Sequence, residues 1–397
     1  MRICFFTTDS VLPTKGGVER VVYNLSKIFQ NNGLSVMIIS AKDAKGLKCP
    51  FENQYALPLQ SAIMHKINIE FVDRLFQNNP VDIIINASHQ IEVFELSKSL
   101  KDKYSLKLIS TLYCTPDALL KGLNDKYAHV RLSGDSCLRK WINILWIFLS
   151  MPYRKYLRKK WIKEKYRYQL VSSDAFILES ERYKQLFAEL IEFDCLDKLY
   201  TIQNPLSSFT IVQSEVHKSK NVLFIARMLI DQKRPDRMLD IWNLLYRKFP
   251  DWKLFMIGDG DDKDLIMEYS KKLNIDNICF IGNTQLDNYY KNAEILCLTS
   301  SFEGFGLVLT EALQNGVIPI AFDSYHAVRD IIDDGLTGML IKPFSIKCYA
   351  KNLAILMSDS NLRNTMRENI RNKDLSSFSE EVVLSKWISL FNKLLNH

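Results

Sequence analysis

From end to end the chain alternates short apolar runs with amphipathic helical patterns, an alternation that commits it to α/β architecture built on parallel sheets. In the first half the runs predict strands over Ile3–Thr7, Ser35–Ser40, Val81–Asn86, Leu106–Leu112 and Ala175–Leu178, with helices over Val18–Gln30, Lys66–Gln77, Ile91–Lys101 and Arg182–Leu190. In the second half strands are expected over Asn221–Ala226, Lys253–Ile257, Ile278–Ile281, Ile295–Leu298, Val317–Ala321 and Gly338–Ile341. Helices fit Arg237–Arg247, Asp262–Lys272, Leu307–Gln314 and Ile346–Met357. A chain of 397 residues suffices for two domains that each bury a core. Pro and Ser break the pattern at Asn204-Pro205-Leu206-Ser207-Ser208, the expected boundary.

With 47% hydrophobic and 24% charged residues, the composition is that of a folded soluble protein. The opening run Met1–Thr8 is too short for a secretory signal and reads as a first strand. No apolar run is long enough to span a bilayer. The eight cysteines form no C-x-x-C pair, and several fall in strands, which suits buried thiols in a reducing compartment better than disulfides or metal ligands.

The net charge of +7 is concentrated. Between Arg139 and Arg167 ten Lys or Arg stand against one acid, Glu164, and the block opens with Trp141-Ile142-Asn143-Ile144-Leu145-Trp146-Ile147-Phe148-Leu149. An apolar, Trp-rich segment running into a basic helix suits the surface of an anionic membrane. The competing reading is a helical insertion with a solvated basic face. No nucleic-acid-binding motif accompanies the block, so no nucleic acid is expected as a partner.

The chemistry is concentrated in Ser300-Ser301-Phe302-Glu303-Gly304-Phe305-Gly306-Leu307-Val308-Leu309-Thr310-Glu311-Ala312. Two carboxylates, Glu303 and Glu311, flank a Gly-x-Gly turn between a buried strand and a helix. Backbone N–H groups near Gly304, Phe305, Gly306 and Leu307 point out of a helix start, where anionic oxygen is stabilised. Glycine permits close backbone approach, and a nearby carboxylate accepts hydrogen bonds from hydroxyls. Anion donors beside hydroxyl acceptors suit a phosphorylated sugar.

This string resembles the signature of the retaining glycosyltransferases of family 4. The resemblance implies a GT-B fold: two doubly wound Rossmann-like α/β domains with a cleft between them. It further implies an acceptor-binding domain over 1–204 with a helical insertion at about 137–168, a nucleotide-sugar-binding domain over 205–378, and a terminal helix, 379–397, crossing back to the first domain. Glu303 would then meet donor-sugar hydroxyls and Glu311 the nucleotide ribose.

Three further motifs fit the same family. Thr14-Lys15-Gly16-Gly17-Val18-Glu19-Arg20 resembles its first loop, placing Gly16 and Gly17 near phosphate. Arg227 and Lys233, on the loop after a strand, resemble its diphosphate clamp, with Arg234 an adjacent rival for the lysine's role. Ile257-Gly258-Asp259-Gly260-Asp261 contains an Asp-x-Asp that invites a metal reading. It instead resembles the glycine turn of the nucleotide half at Gly258, so no metal and no cofactor beyond the donor are expected.

One position departs from the family. Where many relatives carry a His after the fifth strand, this chain has Tyr113, a poor base at neutral pH. His89, after the preceding strand, is the alternative imidazole, against a structural role for it. The implied activity is transfer of a sugar from a nucleotide-diphosphate donor to a hydroxyl of a saccharide acceptor, with retention and without metal. The basic block suggests a lipid-linked acceptor, with the protein cytoplasmic and peripheral on the inner membrane face. A catalytically silent sugar-nucleotide-binding subunit and a GT-B epimerase are the alternatives.

Overall fold

A computed structural model describes residues 1–13, 16–43, 49–193, 196–206 and 218–396. The chain divides into two compact units: Met1–Pro116, Lys160–Leu206 and Leu375–His397 form the first, Asp117–Lys159 and Ser207–Asp374 the second.

The first unit is built on strands β1 (Arg2–Asp9), β2 (Ser35–Lys42), β3 (Gln54–Ala56), β4 (Ile83–Asn86), β5 (Lys107–Leu112), β6 (Ala175–Leu178) and β7 (Leu199–Thr201), in the order β3-β2-β1-β4-β5-β6-β7. Every pairing is parallel. Strands such as β4 are buried along their whole length, which is why the sequence shows continuous rather than alternating apolar runs. The strand expected from Val81 starts at Ile83, because Asp82 turns its carboxylate onto the backbone N–H of Arg2, 2.8 Å away. The helix Gly17–Asn31 buries Val22, Leu25 and Phe29. The terminal helix Glu380–Leu395, N-capped by the Ser379 side chain, packs on it through Trp387 and Phe391. Their ring centroids lie 6.0 and 5.6 Å from that of Phe29.

The second unit carries β8 (Ser219–Ile225), β9 (Lys253–Ile257), β10 (Ile278–Ile281), β11 (Ala293–Leu298), β12 (Ile318–Phe322) and β13 (Met339–Ile341), in the order β10-β9-β8-β11-β12-β13. This sheet is also all parallel. Numbered within itself its order is the doubly wound dinucleotide-binding order, in which ligands sit beyond the carboxyl ends of the strands where the winding reverses. In the first sheet that point lies between β1 and β4, in the second between β8 and β11.

Residues 117–159 group with the second unit, whereas the expected first domain runs over 1–204 with its helical insertion at about 137–168. Buried charge explains the grouping. Asp125 binds Arg234 at 2.6 Å, Arg131 binds Asp236 and Asp240 at 2.8 and 2.7 Å, and Lys121 donates to the carbonyl of Ser324. Residues 375–378 likewise group with the first unit, where Leu206 N–H donates to the Phe378 carbonyl. The expected boundary at 204–208 runs into residues 207 and 208, which lie outside the described residues.

The basic block is one helix, Cys137–Ser172, passing straight through Pro152. The expected helix Arg237–Arg247 begins instead at Pro235 and ends at Asn243. Arg234 takes a left-handed conformation, φ 54°, as its N-cap, and Pro at the first helical position gives up an N–H that has no helical partner anyway.

Candidate active site

In the second unit the loops following β8 and β11 meet at the point where the winding reverses. The loop after β8 is shaped by backbone contact with the loop after β9. Met228 N–H donates to the Asp259 carbonyl, Ala226 N–H to that of Ile257, and Ile230 N–H to the Asp262 carboxylate at 2.7 Å. Gly258 makes this possible. It sits at φ +131°, and a Cβ there would lie 2.1 Å from the carbonyl oxygen of Ala226. Replacing Gly258 by Ala is therefore expected to cost roughly 1–3 kcal/mol in backbone strain alone, read as a lower urea midpoint. An unchanged midpoint would show that the two loops are not locked at this glycine. Asp259 is engaged locally, accepting from Gly260 N–H at 3.0 Å and lying 3.4 Å from Lys263 Nζ.

The cations of this loop separate clearly. Arg227 is exposed, and its side chain meets no carboxylate or hydrogen-bond partner among the described residues. Lys233 places Nζ 2.7 and 2.6 Å from the two oxygens of Glu303, and Ser300 Oγ donates to the same carboxylate at 2.6 Å. Arg234, the rival for the lysine's role, is committed elsewhere. It forks onto Asp236 with two bonds of 2.9 Å and reaches Asp125 with a third.

After β11, Gly306 is the N-cap of the helix Leu307–Gln314 at φ +92°, and a Cβ on it would lie 2.5 Å from Tyr325 Oη. Gly304, Phe305 and Leu307 are buried beside it. Glu311 is fully buried in that helix and accepts from Tyr290 Oη at 2.7 Å. Sequence reasoning did not find Tyr290, a tyrosine in a short polar helix, Asp287–Asn292, with no motif around it.

Behind these loops lies an ionic cluster that was also missed. Arg237 donates to Ser301 Oγ at 2.9 Å, Ser301 Oγ to Asp125 at 2.7 Å, and the Arg237 guanidinium lies 3.9 Å from the Phe344 ring centroid. Burial, reinforced by the charge of Arg234, pushes the Arg237 pKa down to about 10, so it stays a cation at neutral pH. Burial raises the Asp125 pKa despite its arginine partners. For Asp236 burial acts upward too, but Arg234, Arg131 and Arg237 outweigh it, and its pKa is lowered.

In the first unit Gly16 is the extended N-cap of the helix Gly17–Asn31, with the Glu19 carboxylate folded back against it. Thr14 and Lys15, the start of that motif, lie outside the described residues. His89 is exposed beyond β4, its carbonyl held by Lys165 Nζ at 2.7 Å. Thr8 and Ser88, at the ends of β1 and β4, share a hydrogen bond of 2.7 Å. Tyr113 turns its hydroxyl inward, and burial pushes its pKa far above the ordinary tyrosine value, with the Glu179 charge adding to the shift. Burial thus holds the Tyr113 hydroxyl in its neutral form near neutral pH, in which it can donate or accept a hydrogen bond.

Residues 208–373, a span that includes the Glu303 and Arg227 loops, match the family model of the group 1 glycosyl transferases. An uncharacterized glycosyltransferase of Haemophilus influenzae is 24% identical over 97% of this chain and 98% of its own length. The lipopolysaccharide 1,6-galactosyltransferase of Salmonella typhimurium is 30% identical over 40% of this chain and 45% of its own length. Among solved structures, the pneumococcal O-GlcNAc transferase GtfA with UDP and GlcNAc superposes with a TM-score of 0.73 at 14% identity, covering 100% of this chain and 99% of that one. Anabaena HepE with UDP and glucose gives 0.71 at 14% identity, over 98% and 99%. The fold is therefore that of the GT-B glycosyltransferases.

Proposed function

We propose that the protein is a glycosyltransferase of surface-polysaccharide or glycolipid assembly. It moves a sugar from a nucleotide-diphosphate donor to a hydroxyl of a saccharide acceptor, with retention and without a metal ion. The observation that carries this reading is the pairing of Lys233 with Glu303 beside the unpaired, exposed Arg227, at the carboxyl ends of β8 and β11. A diphosphate there meets one free cation and a second cation already anchored. Charge building on the leaving group is stabilised by both. Glu303, buried and held by Ser300 and Lys233, presents a fixed acceptor to hexose hydroxyls. Glu311, fixed by Tyr290, serves the ribose. Retention follows from a front-face reaction, in which the departing diphosphate helps deprotonate the incoming hydroxyl. That the GtfA and HepE structures hold UDP supports a nucleotide-diphosphate donor.

The acceptor is read from the helix Cys137–Ser172. Trp141, Leu145, Phe148 and Leu149 are exposed there, Trp141 at 72%, beside Arg139, Lys140, Lys155 and Lys159. Exposed aromatic and aliphatic side chains rimmed by cations suit an anionic membrane surface, hence a lipid-linked acceptor and a peripheral place on the inner membrane face. Among the described residues no helix is long and apolar enough to cross a membrane.

Thermal unfolding with UDP, GDP, ADP and CMP, with and without magnesium, tests the donor. A diphosphate at 100 times its dissociation constant should add about 2.7 kcal/mol of stability, without magnesium and not in Glu311→Ala. A protein indifferent to all four nucleotides would overturn the transferase reading in favour of a silent scaffold.

A further inference from the structure

A cavity of about 410 Å³ lies wholly within the second unit, lined by His129, Val130, Asn143, Trp146, Ile147, Arg154 and Asp231. Its volume falls in the range of small-molecule sites. One wall is the long helix. The opposite contribution, Asp231, comes from the loop that carries Arg227 and Lys233. Arg154 stacks over the Trp146 ring with its guanidinium carbon 5.2 Å from the centroid. Its Nη1 is buried and meets no hydrogen-bond acceptor among the described residues. A buried guanidinium N–H without an acceptor is unfavourable, and an oxyanion reverses that by accepting a charge-assisted, geometrically matched pair of bonds. The only carboxylate of the lining, Asp231, is held by His129 Nε2 at 2.8 Å and so is turned to a partner of its own. Trp146 adds an apolar ring face of the kind that sugar C–H groups cover, and Asn143 adds an amide for hydroxyls.

We propose that this cavity is an acceptor subsite that takes the phosphate of a phosphorylated or phosphate-linked sugar on Arg154, with the adjoining sugar against Trp146. The inference rests on the reading of the protein as a glycosyltransferase and says which end of the acceptor is held. Trp146 also belongs to the exposed apolar face of the helix, being 62% exposed. The subsite therefore stands where a lipid-anchored phosphate would arrive, although a soluble sugar phosphate offers the same chemistry.

The test is calorimetric titration of the whole protein and of Arg154→Gln. The probes are inorganic phosphate, glucose 1-phosphate, and dodecyl phosphate in neutral-detergent micelles, with UDP titrated separately. The expected result is that phosphate-bearing probes bind the Arg154→Gln protein on the order of 10- to 100-fold more weakly, while UDP binds both proteins equally. Arg154-dependent binding confined to the micellar probe assigns a lipid-linked source, and confined to glucose 1-phosphate a soluble one. Loss of the stack on Trp146 should lower the melting temperature of the unliganded variant only slightly, and unchanged UDP binding shows that the variant is folded. Equal affinity of both proteins for all three probes, with UDP still bound, overturns the subsite and leaves the transferase reading intact. Arg154-dependent phosphate binding in a protein that ignores UDP overturns the transferase reading instead.

Discussion

Replacing Arg227 by alanine should lower the rate of sugar transfer by roughly 100- to 1,000-fold while leaving the melting temperature at its wild-type value. The two halves of this expectation have separate causes. The Arg227 side chain is exposed and has no ion-pair or hydrogen-bond partner among the described residues, so its removal breaks no such bond, and surface changes of that kind stay within about 0.5 kcal/mol. For the same reason its charge is wholly available to a diphosphate, and a cation fixed at the leaving group matters most as negative charge develops. Single-turnover kinetics with a bound donor isolates that step. A lysine at 227 should restore part of the rate by charge alone, without the planar fork that binds two phosphate oxygens together. Lys233→Ala is a less clean experiment, since it also strips Glu303 of its cation. A transfer rate for Arg227→Ala within tenfold of wild type would remove Arg227 from the mechanism.

The second large effect concerns folding. Asp236 is fully buried and receives two hydrogen bonds from Arg234 and one from Arg131. Breaking a buried ion pair by removing one partner costs about 3–5 kcal/mol, because the remaining charges stay buried and uncompensated. Asp236→Ala is expected to lose that much in urea unfolding, and to loosen residues 117–132 from the second unit. The pH dependence follows from the lowered pKa of Asp236. A carboxylate with a folded-state pKa below its unfolded value of about 3.9 stabilises the fold above that value, and the contribution is lost as pH falls through the folded-state pKa. Asp125, with a raised pKa, works in the opposite direction: it binds its proton more readily folded than unfolded. The Asp236→Asn protein should therefore show a weaker loss of stability below about pH 4 than wild type. An identical acid profile would mean that the cluster does not hold Asp236 ionised.

Much of the site was legible because its parts are local. Phe302-Glu303-Gly304-Phe305-Gly306 announces a strand-to-helix turn by composition, and the structure places Gly306 in the left-handed N-cap that the turn demands. Gly258 reads the same way: only glycine tolerates both its φ and its contact with Ala226. The ranking of cations was not legible. Arg227, Lys233 and Arg234 are all plausible loop cations in sequence, and only the fold shows one without a side-chain partner among the described residues, one on Glu303 and one consumed by Asp236 and Asp125. Tyr113 is similar, since nothing in its neighbours along the chain shows that its hydroxyl turns inward.

The sequence by itself determined two parallel α/β sheets and the loops that carry the candidate site residues. Apolar periodicity and glycine requirements repeat within a few residues and leave a local trace. Tertiary structure alone decided the pairing of Lys233 with Glu303, 70 residues apart, and that of Asp125 with Arg234 across 109. It alone assigned residues 117–159 to the second unit. The physical reason is that an ion pair needs only two opposite charges delivered to one place. The sequence contains 52 cations and 45 acids, and the winding of the sheets selects which of them meet.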